Sequence, residues 1–236
     1  MNLVVDIGNS STKVGFFDHH ELYRTEHQVD PDTLGTMLED KKPDRVIVSS
    51  VGSDHRLFLD ALTGYKPVVL SSALPLPFRI DYDTPETLGN DRLAAVAGAQ
   101  TLFPESNCLV IDCGTCITYD LLSADNAYHG GSISLGMAMR FKALNTFTAN
   151  LPLADYNENV SVTGKSTLEC IQSGVMHGII GEMDTFIDHY RHEFRDLKVI
   201  MCGGDTNFFE NRVKARIFAA PDLVLRGLNR ILNHNA

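Results

Sequence analysis

The stretch NCLVIDCGTCITYDLL, residues 107–122, restates NLVVDIGNSSTKVGFFD, residues 2–18. Each copy is an apolar run ending in D-x-G, then small residues, then a second apolar run with an aspartate near its end. Asp6 aligns with Asp112, Gly8 with Gly114 and Ser10 with Cys116, while Asp18 and Asp120 close the two copies. An internal repeat is weighed before any local pattern, because each copy then represents one supersecondary unit. Two related halves follow, residues 1–107 and 108–236, each opening with a β-hairpin.

Outward from these hairpins the chain alternates strand and helix patterns. Residues 3–7, 14–17 and 21–29 read as an antiparallel meander. Residues 31–44 read as a short helix, capped by Asp32 or Thr33 and closed by Pro43. RVIVSSV (45–51) reads as a buried strand, DHRLFLDALTGY (54–65) as an amphipathic helix and KPVVLSS (66–72) as a strand. The proline-bearing segment 74–83 leads into a helix that starts near Gly89, Asn90 and Asp91. In the second half a strand precedes a glycine-marked helix start at Gly136. One long helix or two, with a small-residue seam at Gly174, Gly178 and Gly181, cover residues 166–194. LKVIMCGGDTNFFENRV (197–213) reads as strand, glycine turn and helix, and residues 222–235 as a terminal helix. This alternation gives a mixed α/β fold.

Composition narrows the function classes. The 236 residues carry a formal net charge of -10 and show no basic patch, which disfavours binding along a nucleic-acid backbone. No apolar run approaches the roughly 20 residues that span a bilayer. The five cysteines are an odd count, and with no signal peptide in view they point to a reducing cytoplasm. Cys113 and Cys116 have C-x-x-C spacing, but no second pair completes a zinc site, so buried free thiols are the expectation.

The chemistry lies in the turns. In DIGNSSTK, Gly8 lets the backbone bend closely, and Asn9, Ser10, Ser11 and Thr12 add donors around it, with Lys13 a point charge. Taken alone, this is either an anion cradle or an ordinary bulged hairpin turn; it is not the Walker pattern. The repeat favours the cradle, because two such turns facing each other across a cleft would bring Asp6 and Asp112 toward one ligand. Paired carboxylates beside phosphates require a cation, and Mg²⁺ suits carboxylate and phosphate oxygens. A nucleoside triphosphate with Mg²⁺, and hence phosphoryl transfer, follows. CGGDTN (202–207) adds a third glycine turn, at Gly203 and Gly204, that passes close to a base or ribose or else is a plain strand-to-helix turn. In LGNDR, Asp91 is either a helix cap or a general base, and Arg92 can grip a carboxylate with its fork.

Together DIGNSSTK (6–13), YDTPETLGNDR (82–92), DCGTCITYD (112–120), GGSISLGMAMR (130–140), TANLP (148–152), GKSTLECIQSGVMHG (164–178) and GGD (203–205) resemble the type III pantothenate kinases over nearly the whole chain. The resemblance implies an α/β fold of the actin-like ATPase superfamily with two ribonuclease H-like domains. It implies ATP-dependent phosphorylation of the primary hydroxyl of pantothenate, the first step toward coenzyme A. Asp91 matches the general base, and Tyr82, Gly89 and Arg92 match pantothenate contacts, with Asn90 beside them. Thr167 matches a residue that reaches the substrate from a neighbouring subunit, which implies a homodimer. Residues Asp6 to Lys13 match the first phosphate motif, Asp112 to Thr115, including Gly114, the second, and Gly203 and Gly204 the adenosine-side turn. Asp120 matches the site of a monovalent cation, K⁺ or NH₄⁺. The chain departs from the family pattern at Asn90, where alanine is usual, at Leu135, where proline is common, and at Cys113 and Cys116, where leucine and alanine are common. Rival readings are another small-molecule kinase of the superfamily, or a non-catalytic regulator that keeps the fold.

Overall fold

The computed structural model describes residues 1–9, 11–50 and 56–236. Contacts divide the chain into two compact units: residues 1–105, 122–129 and 222–236, and residues 106–121 and 130–221. Among the described residues no helix is long and apolar enough to cross a membrane.

In the first unit β1 (Asn2–Ile7), β2 (Thr12–Asp18) and β3 (Glu21–His27) form the expected meander. Then come α1 (Pro31–Asp40), β4 (Arg45–Ser50), α2 (Arg56–Ala61), β5 (Val68–Val69), β6 (Arg79–Ile80) and α3 (Asn90–Leu102). The sheet order is β3-β2-β1-β4-β5, with β4 parallel to β1 and β5 parallel to β4. Leu3, Val5, Val14, Phe16, Val46 and Val48 meet Leu34 and Leu38 of α1 and Phe58 of α2 in one core. The cap of α1 is Asp30, which accepts from the Thr33 amide at 2.7 Å, and not Asp32 or Thr33. Pro31 occupies the first turn, where its fixed φ suits a helix and its missing N–H costs nothing, so the capping position falls just before it. The strand expected over 66–72 shortens to its two valines, and the start of the helix expected over 54–65 lies outside the described residues.

The second unit repeats this plan. β7 (Cys108–Cys113), β8 (Cys116–Leu122) and β9 (Ala127–Leu135) are followed by α4 (Met137–Thr146), α5 (Thr167–Glu193), β10 (Lys198–Cys202), α6 (Thr206–Phe209) and β11 (Phe218–Ala219). Its strands run β11-β10-β7-β8-β9, with β10 parallel to β7 and β11 parallel to β10, and β6 pairs with the first residues of β9. Read from the hairpin outward, that is the order of the first sheet. β1 and β7 also share one burial pattern, closed throughout except at Asp6 and Asp112. The repeat holds less well at its far end. Asp18 is exposed where β2 meets its turn, whereas Asp120 is wholly buried within β8. Leu109, Ile111, Tyr119, Val199 and Met201 pack against Ile171, Val175, Ile179 and Met183 of α5.

α5 is one continuous helix, capped by Ser166. Side chains built at Gly174 and Gly181 would meet nothing within 4 Å and one at Gly178 only Arg140 Nη1 at 3.9 Å, so no close packing within this chain calls for the expected small-residue seam. The terminal helix α7 (Leu223–His234) joins the first unit, beside α3. A Cβ at Gly227 would stand 1.7 Å from the Ala94 carbonyl oxygen, and one at Gly98 would stand 2.3 Å from that of Leu223. Backbone rides on backbone there, which only glycine permits.

Candidate active site

Asp6 shares a face of β1 with Asn2, because strand side chains alternate. Asn2 donates to Asn229 of α7 at 2.8 Å, so Asp6 points to the side covered by α7 and α3. The hydrophobic run that makes β1 a central strand thereby carries a carboxylate into a closed space. Asp6 Oδ1 is shielded from solvent and has no hydrogen-bond partner. Burial, and next the charge of Asp91, push its pKa up to about 6; Lys13 opposes them. Ser49, its register neighbour on β4, also lowers it, though the hydroxyl closes no well-formed hydrogen bond. Lys13 stands opposite Asp6 on β2.

The turn after β1 is drawn in by Gly8 N–H donating to Ser11 O at 3.1 Å. Gly8 and Asn9 are exposed, Ser11 and Lys13 are half-buried and Thr12 is buried. Ser10 lies outside the described residues.

Gly89 caps α3, which places Asp91 and Arg92 in its first turn. Asp91 therefore does not cap the helix. Its Oδ1 turns back to accept from the Arg92 amide at 2.9 Å. A Cβ at residue 89 would stand 2.4 Å from that oxygen, so the glycine leaves room for the carboxylate. Asn90 spends its side-chain amide on the Ser50 carbonyl, at 3.1 Å, linking the start of α3 to the end of β4. Arg92 is 6% exposed and its guanidinium lies over the Tyr128 ring, 6.0 Å from the centroid. Tyr82 stacks on the same ring at 6.3 Å and 25°. Asp81 N–H donates to Tyr128 O at 2.8 Å. Tyr128 thus joins two expected substrate contacts. Sequence reasoning missed it, since nothing in the spacing of β9 relates this tyrosine to Tyr82 or Arg92.

In the second unit the turn after β7 is closed by Gly114 N–H donating to Cys116 O at 3.0 Å. Gly203, at φ +92, lies against this turn; a Cβ there would meet Asp112 Oδ1 and Cys113 O at 2.4 Å each. Asp205 N–H donates to Cys113 O at 3.0 Å, locking the two turns together. Gly203 is thus explained by packing, whereas Gly204 faces open space. Asp205, half-buried and with its pKa raised by desolvation, was not foreseen; the signal was an acid after paired glycines. Asp120 accepts from the Thr118 hydroxyl at 3.0 Å. Thr167, exposed at the start of α5, lines an apolar cavity of ≈ 690 Å³ together with Leu135, Phe147 and Cys170.

Burial disfavours the thiolate at two of the cysteines: it pushes Cys108 up to about 12, and burial with the charges of Asp112 and Asp205 raises Cys113 further. Cys202 is also buried and Cys170 is exposed; in the C-x-x-C pair the expectation of buried thiols holds at Cys113 and only in part at the half-buried Cys116.

Residues 2–189 match the family profile described as type III pantothenate kinase. A type III pantothenate kinase from Phocaeicola vulgatus is 44% identical over 243 residues, covering 100% of this chain and 99% of its own. The chain belongs to the type III pantothenate kinase family. Another type III pantothenate kinase, from Cytophaga hutchinsonii, is 42% identical with both chains fully covered. Among solved structures, a Campylobacter jejuni protein described as a Baf family transcriptional activator superposes with TM-score 0.67 at 24% identity, covering 99% of this chain and 98% of its own. A ROK family glucokinase from Streptomyces griseus superposes with TM-score 0.55 at 13% identity, covering 99% and 98%. At such identities these likenesses speak for the fold alone.

Proposed function

We propose that the protein transfers the γ-phosphoryl group of ATP to the primary hydroxyl of pantothenate, giving 4'-phosphopantothenate and opening coenzyme A synthesis. Membership of the type III pantothenate kinase family carries this reading. In it, Asp91 is the general base. Its carboxylate is anchored by one oxygen at the start of α3, which leaves the other to orient the hydroxyl and take its proton. Arg92, with its guanidinium set on Tyr128, would hold the substrate carboxylate beside Tyr82. The turn at residues 8–13 and the turn at Gly114–Thr115 each offer backbone donors to phosphate oxygens. Gly204 gives the nucleoside an open backbone approach. The family resemblance further assigns each unit a ribonuclease H-like domain, and Thr167 to a partner subunit's substrate site in a homodimer.

Among the described residues no three His, Cys, Asp or Glu side chains cluster as a ready metal cage. Mg²⁺ nevertheless fits Asp6, a carboxylate with a shielded, unpartnered oxygen, since this ion takes few protein ligands and completes its shell with water and phosphate. When bound, it neutralises charge on the phosphates. The family resemblance gives Asp112 a part beside the phosphates as well. The buried carboxylate of Asp120 and the hydroxyl of Thr118 are oxygen donors suited to K⁺ or NH₄⁺.

The test is a purified-protein assay with ATP, Mg²⁺ and K⁺, offering pantothenate beside a panel of sugars and short hydroxy acids. Phosphorylation of pantothenate alone is the expected result. Phosphorylation of a sugar or acetate-like acid in its place would move the assignment to another small-molecule kinase.

A further inference from the structure

One polar network of the second unit is centred on two charged side chains not placed in the site so far, Glu182 and Arg140. Glu182, midway along α5, accepts from Arg140 Nη2 at 2.6 Å and from Ser134 Oγ at 3.0 Å through one oxygen, and from Tyr119 Oη at 2.9 Å through the other. Burial and the Glu182 charge keep the Tyr119 phenol protonated, so it stays a donor. Arg140 Nη2 also reaches Ser134 Oγ at 2.9 Å, and its Nε donates to Leu135 O at 2.8 Å. Both charged side chains are largely covered, at 19% and 23% exposure, so neither is a loose surface pair.

The acceptor that Arg140 chooses matters. Leu135 C=O and Gly136 N–H belong to one peptide unit. On its other side the Gly136 N–H donates to Thr115 O at 3.1 Å, in the turn that follows β7. The fit is backbone to backbone, since a Cβ at Gly136 would lie 2.3 Å from both Gly114 O and Thr115 O. A cation on the carbonyl of a peptide polarises it and strengthens its N–H as a donor. One continuous path therefore runs from α5 through Glu182, Arg140 and the Leu135–Gly136 peptide to the Gly114–Thr115 turn.

We propose that Arg140, held by Glu182, is a positioning residue for this turn and so sets the grip on the nucleotide phosphates. The proposal deepens the kinase reading and rests on it for the turn's role. Arg140 borders the apolar cavity that Thr167 lines, but its Nε and Nη2 already serve Leu135, Ser134 and Glu182. That arrangement favours bracing of the turn over contact with pantothenate.

The experiment compares full-length wild type with Arg140→Gln, Arg140→Lys, Glu182→Gln and the double variant Arg140→Gln/Glu182→Gln. Steady-state kinetics are measured against each substrate, and Mg·ADP affinity is measured by calorimetry. Arg140→Gln is expected to raise the KM for ATP and the Kd for Mg·ADP about tenfold, the scale of a small misplacement of a phosphate-holding turn. The KM for pantothenate should stay within about twofold. Arg140→Lys restores the charge but not the planar fork and should fall between. If Glu182 acts through Arg140, the double variant binds Mg·ADP no worse than Arg140→Gln alone. A KM for pantothenate that rises in step with that for ATP overturns the proposal in favour of substrate contact. Unchanged nucleotide affinity in a folded variant also overturns it. Should Arg140→Gln fail to fold, Glu182→Gln and the double variant, which leaves no unpaired charge, carry the comparison. A wild type that binds Mg·ADP but leaves pantothenate untouched defeats the substrate assignment and leaves the calorimetric comparison decisive. A wild type that binds no Mg·ADP defeats both.

Discussion

Replacing Asp6 with asparagine should stabilise the ligand-free protein while abolishing its activity. The carboxylate has a folded pKa of about 6 against an ordinary value of 3.8, because burial and the neighbouring Asp91 charge outweigh Lys13. Between those values the folded state holds the proton that the unfolded state has released. Stability contributed by this group therefore falls as pH rises from about 4 to about 6 and stays low above that. The gap of about two pH units, at about 1.4 kcal/mol each, comes to about 3 kcal/mol at pH 8. That figure is a ceiling, since Asp6 keeps some exposure through the rest of its side chain. Urea unfolding without nucleotide or divalent cation, from pH 4.5 to 8, reads it directly. Asp6→Asn should be more stable than wild type at pH 8 by about 1–3 kcal/mol, and the two curves should converge toward pH 4.5. A variant less stable than wild type at pH 8 would mean that the carboxylate is satisfied within the apoprotein. The argument for a cation at Asp6 would then lose its footing.

Other consequences follow from single contacts. Gly89→Ala puts a methyl group where Asp91 Oδ1 now sits, so kcat should fall at least about tenfold. The melting temperature should barely change, because a side-chain end can move aside. Gly227→Ala meets backbone instead, 1.7 Å from Ala94 O, and should cost about 3 kcal/mol or more in denaturant unfolding. Tyr128→Leu removes the ring under Tyr82 and Arg92, so the KM for pantothenate should rise about tenfold with that for ATP little altered. That split mirrors the one expected at Arg140, and steady-state kinetics on both variants check the pair.

Much of this was legible before any coordinates, for a physical reason. A fully buried strand is written as an unbroken apolar run, and an aspartate and glycine at its end are exceptions that stand out. β1 and β7 announced themselves in this way, and so did their common plan. What stayed hidden depends on partners distant in sequence. β6 is a two-residue strand that exists only because Arg79 and Ile80 meet Ala127 and Tyr128. The terminal helix looks like any amphipathic helix, and nothing in its own spacing shows that Gly98 and Gly227 let its backbone close on that of α3. Asp120 seemed the counterpart of Asp18, yet one is buried mid-strand and the other exposed at a strand end. Asp30 was passed over as a cap because the apolar pattern begins farther on, although Pro31 marks the first turn. Among the candidates, charged residues in turns such as Asp6, Asp91 and Arg92 stand out in the sequence, whereas Tyr128, Arg140 and Glu182 do not. Their roles come from which groups they hold, and no spacing rule records that.

In the proposed reaction Asp91 takes the proton from the pantothenate hydroxyl during phosphoryl transfer. The most direct measurement is single-turnover formation of 4'-phosphopantothenate by wild type and Asp91→Asn, at saturating ATP, Mg²⁺ and K⁺. Mg·ADP binding to both forms is measured alongside. With Asp91 as the base, the rate falls at least about a hundredfold in the variant while nucleotide affinity is retained. Comparable rates in the two forms would contradict it and remove Asp91 from the base role.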